Sequence, residues 1–372
     1  MDDRSTTIWT VSPDGRIAHA QTELGAYPLE KWINEALHTG GNPGDTPSAP
    51  SRLQIASRGG AALLTAGKTK EAWHHLYNAL IAPVRVNLPS RSGSRLTIIP
   101  SGPLFRLSFA ALMDEKGRYL IENYTLHYSP AIEAFRYTLR AQQRNAELPA
   151  RYLLVANPLR MPAADGKSLP ALPGSQREVR RISSLIPAGS AILLQGKQAD
   201  EASVRRAMPA AKVIHLATHG VIDNSNPLLS FLALGQTSDQ PDRNGRLTAE
   251  EVYSLDLHAD LVVLSACRTG LGQISGDGVA GLARAFFYAG AASVVSTLWD
   301  VADQPTAQLI GDFYGSFSKG KNGKSEALRD AQLSLLHSLR NGHVRVDTPF
   351  GLLPLPEDPV FWAGYVLLGE PQ

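Results

Sequence analysis

Short apolar runs and amphipathic stretches alternate along this chain, and the two kinds of pattern predict its elements. Near the start, Thr7-Ile-Trp-Thr-Val11 and Arg16-Ile-Ala-His-Ala20 flank Ser12-Pro-Asp-Gly15. Pro and Asp-Gly form turns, so residues 6–21 read as a hairpin. Leu29, Trp32, Ile33 and Leu37 recur at helical spacing and predict a helix over 28–37. A second helix is expected over 68–81, with Ala72, Leu76, Ala79 and Leu80 on its apolar side. The Gly- and Pro-rich stretch 40–50 between them is a loop by composition. Residues 95–99, 119–121 and 125–128 read as short strands, and 131–144 as a helix. The polar connector 142–149 is the candidate boundary between an N-terminal half, 1–148, and a second domain, 149–372.

Beyond that connector, strand and helix patterns take turns. Strands are expected at 152–156, 191–194, 211–218, 229–234, 260–265, 292–298 and 361–368. Helices are expected over 175–186, where Ser175 and Glu178 have capping-box spacing, and over 200–208, 247–252, 279–289, 305–318 and 325–339. Runs such as Leu261-Val-Val-Leu264 do not alternate, which is how strands buried on both faces read. The expected fold is therefore α/β, a parallel sheet with helices on both faces and right-handed crossovers.

Composition narrows the function. A net charge of +2 leaves no basic footprint, so nucleic acid is not expected as a direct partner. No apolar stretch approaches the roughly 18 residues that span a bilayer, and no apolar segment near Met1 resembles a secretory signal. A reducing, cytoplasmic compartment without membrane partners is the expectation. One cysteine in 372 residues rules out an internal disulfide and a multi-cysteine zinc site. The histidines show no metal-ligand spacing, so neither metal nor other cofactor is expected.

The chemistry then gathers at two strand ends. Asp260-Leu-Val-Val-Leu-Ser-Ala-Cys-Arg-Thr-Gly270 carries the single cysteine, Cys267, where a buried strand turns outward. Ala211-Lys-Val-Ile-His-Leu-Ala-Thr-His-Gly220 ends in His219-Gly220 in the same way. The two are 48 residues apart (267 − 219), enough for one crossover between neighbouring parallel strands. An imidazole beside a thiol is what a cysteine nucleophile requires. The backbone N–H groups of Gly220 and Cys267 are candidate oxyanion donors. His215, inside the strand, reads as a core or supporting histidine. Taken singly, Cys267 reads equally as a small buried apolar residue. A dinucleotide site is the rival reading of Gly276-Asp-Gly278-Val-Ala-Gly281, with Asp300 as the ribose acid. That fingerprint needs its glycines directly after the strand, and here a long loop intervenes.

Further segments carry a family resemblance. His215-Leu-Ala-Thr-His-Gly220, Leu264-Ser-Ala-Cys-Arg-Thr-Gly270, Ser296-Thr-Leu-Trp-Asp-Val-Ala-Asp303, Ala327-Leu-Arg-Asp-Ala-Gln332 and Phe361-Trp-Ala-Gly-Tyr-Val366 resemble the CHAT family of caspase- and separase-like cysteine peptidases. Ile98–Leu112, Val155-Ala-Asn-Pro158 and Glu178 extend the resemblance upstream, so it covers most of the chain in order. The TPR repeats to which such domains are often joined are not seen in this sequence. The resemblance implies a caspase-like three-layer sandwich in 149–372 and a degenerate, protease-like regulatory half in 1–148. It implies a His219–Cys267 dyad cleaving a partner protein, and an S1 pocket around Trp299, Asp300 and Asp303 that pairs Asp300 with a basic P1 residue. It also implies a bacterial defence or programmed-cell-death role, with a substrate or regulator encoded by a neighbouring gene as candidate partner. A non-catalytic adaptor that only binds proteins is the alternative.

Overall fold

The computed structural model describes residues 4–37, 52–57, 60–65, 69–164, 166–223, 225–238, 240, 243–266, 273–275, 278–320, 322–348 and 351–372. In chain order, β1 (Thr6–Val11) and β2 (Ile17–Thr22) form a hairpin and lead into α1 (Ala26–Ala36), β3 (Arg52–Ser57), β4 (Gly60–Thr65) and α2 (Thr69–Leu80). Next come β5 (Ser94–Ile98), α3 (Leu120–Asn123), β6 (Tyr124–Tyr128) and α4 (Ala134–Asn145). Then follow β7 (Tyr152–Pro158), α5 (Pro173–Leu185), β8 (Ala191–Gly196), α6 (Glu201–Ala207), β9 (Val213–Ala217), β10 (His219–Val221), β11 (Phe231–Ala233), β12 (Arg246–Thr248) and α7 (Ala249–Tyr253). The rest of the chain forms β13 (Leu261–Leu264), β14 (Gln273–Ser275), β15 (Gly278–Ala280), α8 (Leu282–Tyr288), β16 (Ser293–Thr297), α9 (Asp303–Phe317), α10 (Lys324–Arg340), β17 (Arg345–Thr348), β18 (Gly351–Pro354), α11 (Pro359–Trp362) and β19 (Tyr365–Gly369).

An eight-stranded sheet organises these elements in the order β5-β6-β19-β16-β13-β9-β7-β8. All its pairings are parallel except β16 with β19, so two parallel blocks meet there in opposite directions. The apolar runs explain the central position of β9 and β13: every residue of both strands is buried. Side chains alternate across the sheet. Leu154, His215 and Val263 stand in register and face a core shared with α5, α9 and α10. Leu153, Ile214 and Val262 face the opposite core, filled from α6, α7 and α8 by Val204, Val252 and Phe286. The result is the three-layer α/β sandwich that the alternation predicts.

Residues on both sides of position 148 build this sheet. β6 meets β19 through one registered pair, Tyr128 with Leu368. Helix α10 ties the join together. The Arg329 guanidinium donates to the carbonyls of Ile121, Glu122 and Tyr124. Arg340 pairs with Glu122 and Glu357, and Arg95 with Glu326. One continuous core runs from Leu29 to Leu367.

Several local expectations change. Residues 119–121 open a helical turn, not a strand, because the Glu122 carboxylate reaches back to accept from the Tyr119 N–H. The expected strand 361–368 is half helix: Asp358 caps α11, Pro359 occupies its first position, and β19 starts only at Tyr365. Pro173 starts α5 before the Ser175–Glu178 box can form, and both side chains find other partners. Gly278 opens the short β15 and Gly281 caps α8 directly after it, so these glycines do not follow a strand of the main sheet. The β14–β15 hairpin lies between β13 and α8, which removes the strand-turn-helix context of a dinucleotide fingerprint. The loop expected at 40–50 lies outside the described residues.

Candidate functional site

The sheet brings the two predicted strand ends side by side. β9 and β13 are parallel neighbours, with Leu216 opposite Leu264, and the Ser265 N–H donates to the Leu216 carbonyl at 3.0 Å. At the end of β9 the chain leaves the main sheet. The Thr218 hydroxyl donates to the Ala233 carbonyl, and the next three residues pair as β10 with β11 in a small antiparallel sheet completed by β12. This step sets His219 at the carboxyl edge of the main sheet, where it is only 4% exposed. Gly220 follows it in β10, opposite Leu232.

The His219 Nε2 lies 2.8 Å from the Pro170 carbonyl oxygen. A carbonyl only accepts, so Nε2 carries a proton in this geometry. Nδ1 is then the basic nitrogen of the neutral ring. Sequence patterns did not single out Pro170: its contribution is a main-chain oxygen in a segment that reads only as loop.

The end of β13 is tied from three sides. Besides the bond to β9, the Ser265 hydroxyl lies 2.9 Å from the Tyr365 hydroxyl of β19. The Thr297 hydroxyl, at the end of β16, donates to the Ala266 carbonyl at 2.5 Å. Ser265 and Ala266 are both fully buried. The chain is thus held rigidly up to the residue before Cys267. Cys267 itself, with residues 268–272, lies outside the described residues.

Trp299, Asp300 and Asp303 follow β16, the strand beside β13. Trp299 is a core residue, 8% exposed, whose indole N–H donates to the Val360 carbonyl at 3.0 Å. Gly364 lets the ring lie flush: a Cβ there would sit 2.9 Å from the indole nitrogen. Asp300 is half-buried. The backbone puts Asp303 at the first position of α9, after Ala302 as N-cap.

Beneath the site, His215 is buried between two further groups. Its Nε2 lies 2.8 Å from the Glu178 carboxylate on α5, and its Nδ1 lies 3.3 Å from the Tyr314 hydroxyl on α9. Burial pushes the Tyr314 hydroxyl well above its ordinary pKa. It stays protonated and donates to Nδ1, which leaves Nε2–H for Glu178. His215 is thereby committed to the interlayer core, as its place inside the strand suggests. Among the described residues no three His, Cys, Asp or Glu side chains gather as a metal site. No helix among them is long and apolar enough to cross a membrane.

The model of the CHAT domain family matches residues 70–370. The chain belongs to this family. The chain is also similar to mouse and human tetratricopeptide repeat protein 28, at 26% and 27% identity in alignments 340 positions long that cover 79% of this chain. The chain spans 13% of the length of those relatives. In fold it is similar to the Saccharomyces cerevisiae separase–securin complex, with a TM-score of 0.50 and 13% identity, covering 77% of this chain and 16% of that one. The CHAT domain is accordingly a caspase-like α/β sandwich with a mostly parallel sheet. The β5–β6 block from the N-terminal half extends that sheet beyond β19.

Proposed function

We propose that this protein is a site-specific cysteine endopeptidase in which His219 and Cys267 form the catalytic dyad. The observation that carries the reading is the 2.8 Å contact between His219 Nε2 and the Pro170 carbonyl oxygen. At the carboxyl edge of the strand beside the cysteine strand, the Pro170 carbonyl accepts a hydrogen bond from Nε2–H, which leaves Nδ1 as the base. Nδ1 accepts the Cys267 thiol proton, the sulfur attacks the scissile carbonyl, and the imidazolium returns the proton to the leaving amine. Water then hydrolyses the acyl-enzyme, with the same imidazole as general base. The N–H groups of Gly220 and Cys267 are assigned to the oxyanion. The bonds that tie Ser265 and Ala266 to β9, β16 and β19 support a rigidly held nucleophile.

The S1 assignment rests on Asp300. Half-buried beyond β16, it is assigned to pair a basic P1 side chain, with Asp303 in support and Trp299 as the packed floor. The N-terminal half serves to buttress the active sheet and to receive a regulatory partner. The substrate is a protein, in a bacterial defence or cell-death pathway, and a product of a neighbouring gene is the first candidate to co-express. A fluorogenic panel differing only at P1 tests the specificity. Arg and Lys substrates should be cleaved at least tenfold faster than Leu or Asp. Preference for Leu or Asp removes Asp300 from S1, and hydrolysis of none by a protein whose Cys267 resists a chloromethylketone favours the adaptor reading.

A further inference from the structure

We propose that Asn157 is a positioning residue for His219, acting through the 170–172 turn. This rests on the dyad reading above. The problem it solves is that a buried imidazole is oriented by a carbonyl on an exposed segment. Pro170 and Ala171 are exposed, and such loops are ordinarily mobile. The anchor is one residue further on. Leu172 is buried, and its N–H donates to the Asn157 Oδ1 at 2.6 Å. Its carbonyl accepts from the Ser175 N–H at 3.0 Å and the Ser175 hydroxyl at 2.7 Å. Both sides of Leu172 are therefore fixed, and the prolines at 170 and 173 stiffen the segment on either side of the two residues between them.

Asn157 is built for this contact. It is the last but one residue of β7, the parallel neighbour of β9, where Ala156 stands opposite Ala217, two residues before His219. Its φ of 44° is in the left-handed region, which among the described non-glycine residues only Asn157 and Arg160 adopt. Asparagine enters that region more readily than most residues. The β7–β8 register shifts between Ala156 and Pro158, and the turn aims a buried amide at Leu172. The chain of contacts is Asn157 to Leu172, Leu172 through Ala171 to Pro170, and Pro170 to His219. Asn157, Leu172, Ala171 and Pro170 do not touch the reacting atoms in this scheme. They fix which nitrogen is the base and where it points.

The only cysteine in the chain gives a direct readout. Iodoacetamide alkylation of the full-length protein, followed by intact mass between pH 5 and 9, reports the Cys267 thiolate. An ordinary thiol with a pKa near 8.5 slows by roughly a hundredfold from pH 8 to pH 6. Beside an aimed imidazole, the wild type should slow by only about threefold over that range. His219→Ala should restore the steep profile. Asn157→Gly tolerates the backbone angle but lacks the acceptor, and should move the pH 8 to pH 6 ratio at least tenfold towards that of His219→Ala. Asn157→Asp keeps an acceptor oxygen and should stay near wild type. Should Asn157→Gly fail to fold, Asn157→Ser carries the test, because its hydroxyl stops one atom short of the amide oxygen. A wild-type profile for a folded glycine or serine variant overturns the positioning role. So does an equal shift in Asn157→Asp. A wild-type profile for His219→Ala overturns the dyad itself, and this inference with it.

Discussion

His219 shows how little of a side chain's role lies in the side chain. In the proposed dyad, the hydrogen bond from Nε2–H to a backbone carbonyl of another loop leaves Nδ1 as the basic nitrogen. His219→Ala should therefore lower peptide hydrolysis by about 10²–10⁴, the usual worth of a positioned general base. Two buried titratable groups away from the site make a separate prediction. Burial, helped by the Arg95 charge, holds the His127 imidazole down at about 4. Burial pushes the Glu201 carboxyl up to about 7 against its bond from the Gly245 N–H. For His127 the unfolded chain binds more protons between pH 6.5 and about 4, so stability falls as the pH drops through that window. For Glu201 the folded state binds more protons between about 4.5 and 7, so stability falls as the pH rises. The slopes oppose each other near pH 5–6. Urea denaturation should show a steeper acid-side loss in Glu201→Gln and a steeper loss towards neutral pH in His127→Phe.

At the scale of elements, the strongly periodic parts of the chain were legible and the capped or main-chain-bonded parts were not. The apolar runs of β9 and β13 and the stripe of α5 read correctly because burial on two faces, or on one helical face, leaves a periodic trace. The turn at α3 and the helix α11 did not, since Glu122 and Asp358 decide them through single hydrogen bonds to the backbone. In the small sheet β10–β12, β11 lies within the strand expected at 229–234, while β10 and β12, three residues each, left no periodic trace of their own. At the site, His219 and the approach to Cys267 were legible as strand ends, while Pro170 contributes a main-chain oxygen that no residue pattern announces, and the target of the Asn157 side chain is a main-chain N–H. Trp299 illustrates a shared assignment. Its indole bond to Val360 means that Trp299→Phe should cost about 1 kcal/mol, and Trp299→Ala about 3–5 kcal/mol, in urea denaturation.

At the scale of the molecule, one sheet and one core cross position 148. Arg329 and Arg340 fasten α10 to the first half across a join with a single registered strand pair. Trp32 and Trp73 report one half, and Trp299 and Trp362 the other. Fluorescence of proteins retaining one pair or the other should show coincident unfolding transitions, and separated midpoints would mark two independent domains. Arg329→Met, which leaves three carbonyls without their shared donor, should lower the common midpoint by on the order of 2 kcal/mol or more. The central claim concerns what the assembled molecule does to other proteins. Its most direct test is a comparison of new protein N-termini in cells expressing the wild type or Cys267→Ala at equal levels, with the neighbouring genes co-expressed. The account predicts a small set of termini that follow Arg or Lys and occur only with the wild type. Identical sets of termini from the two proteins would contradict it.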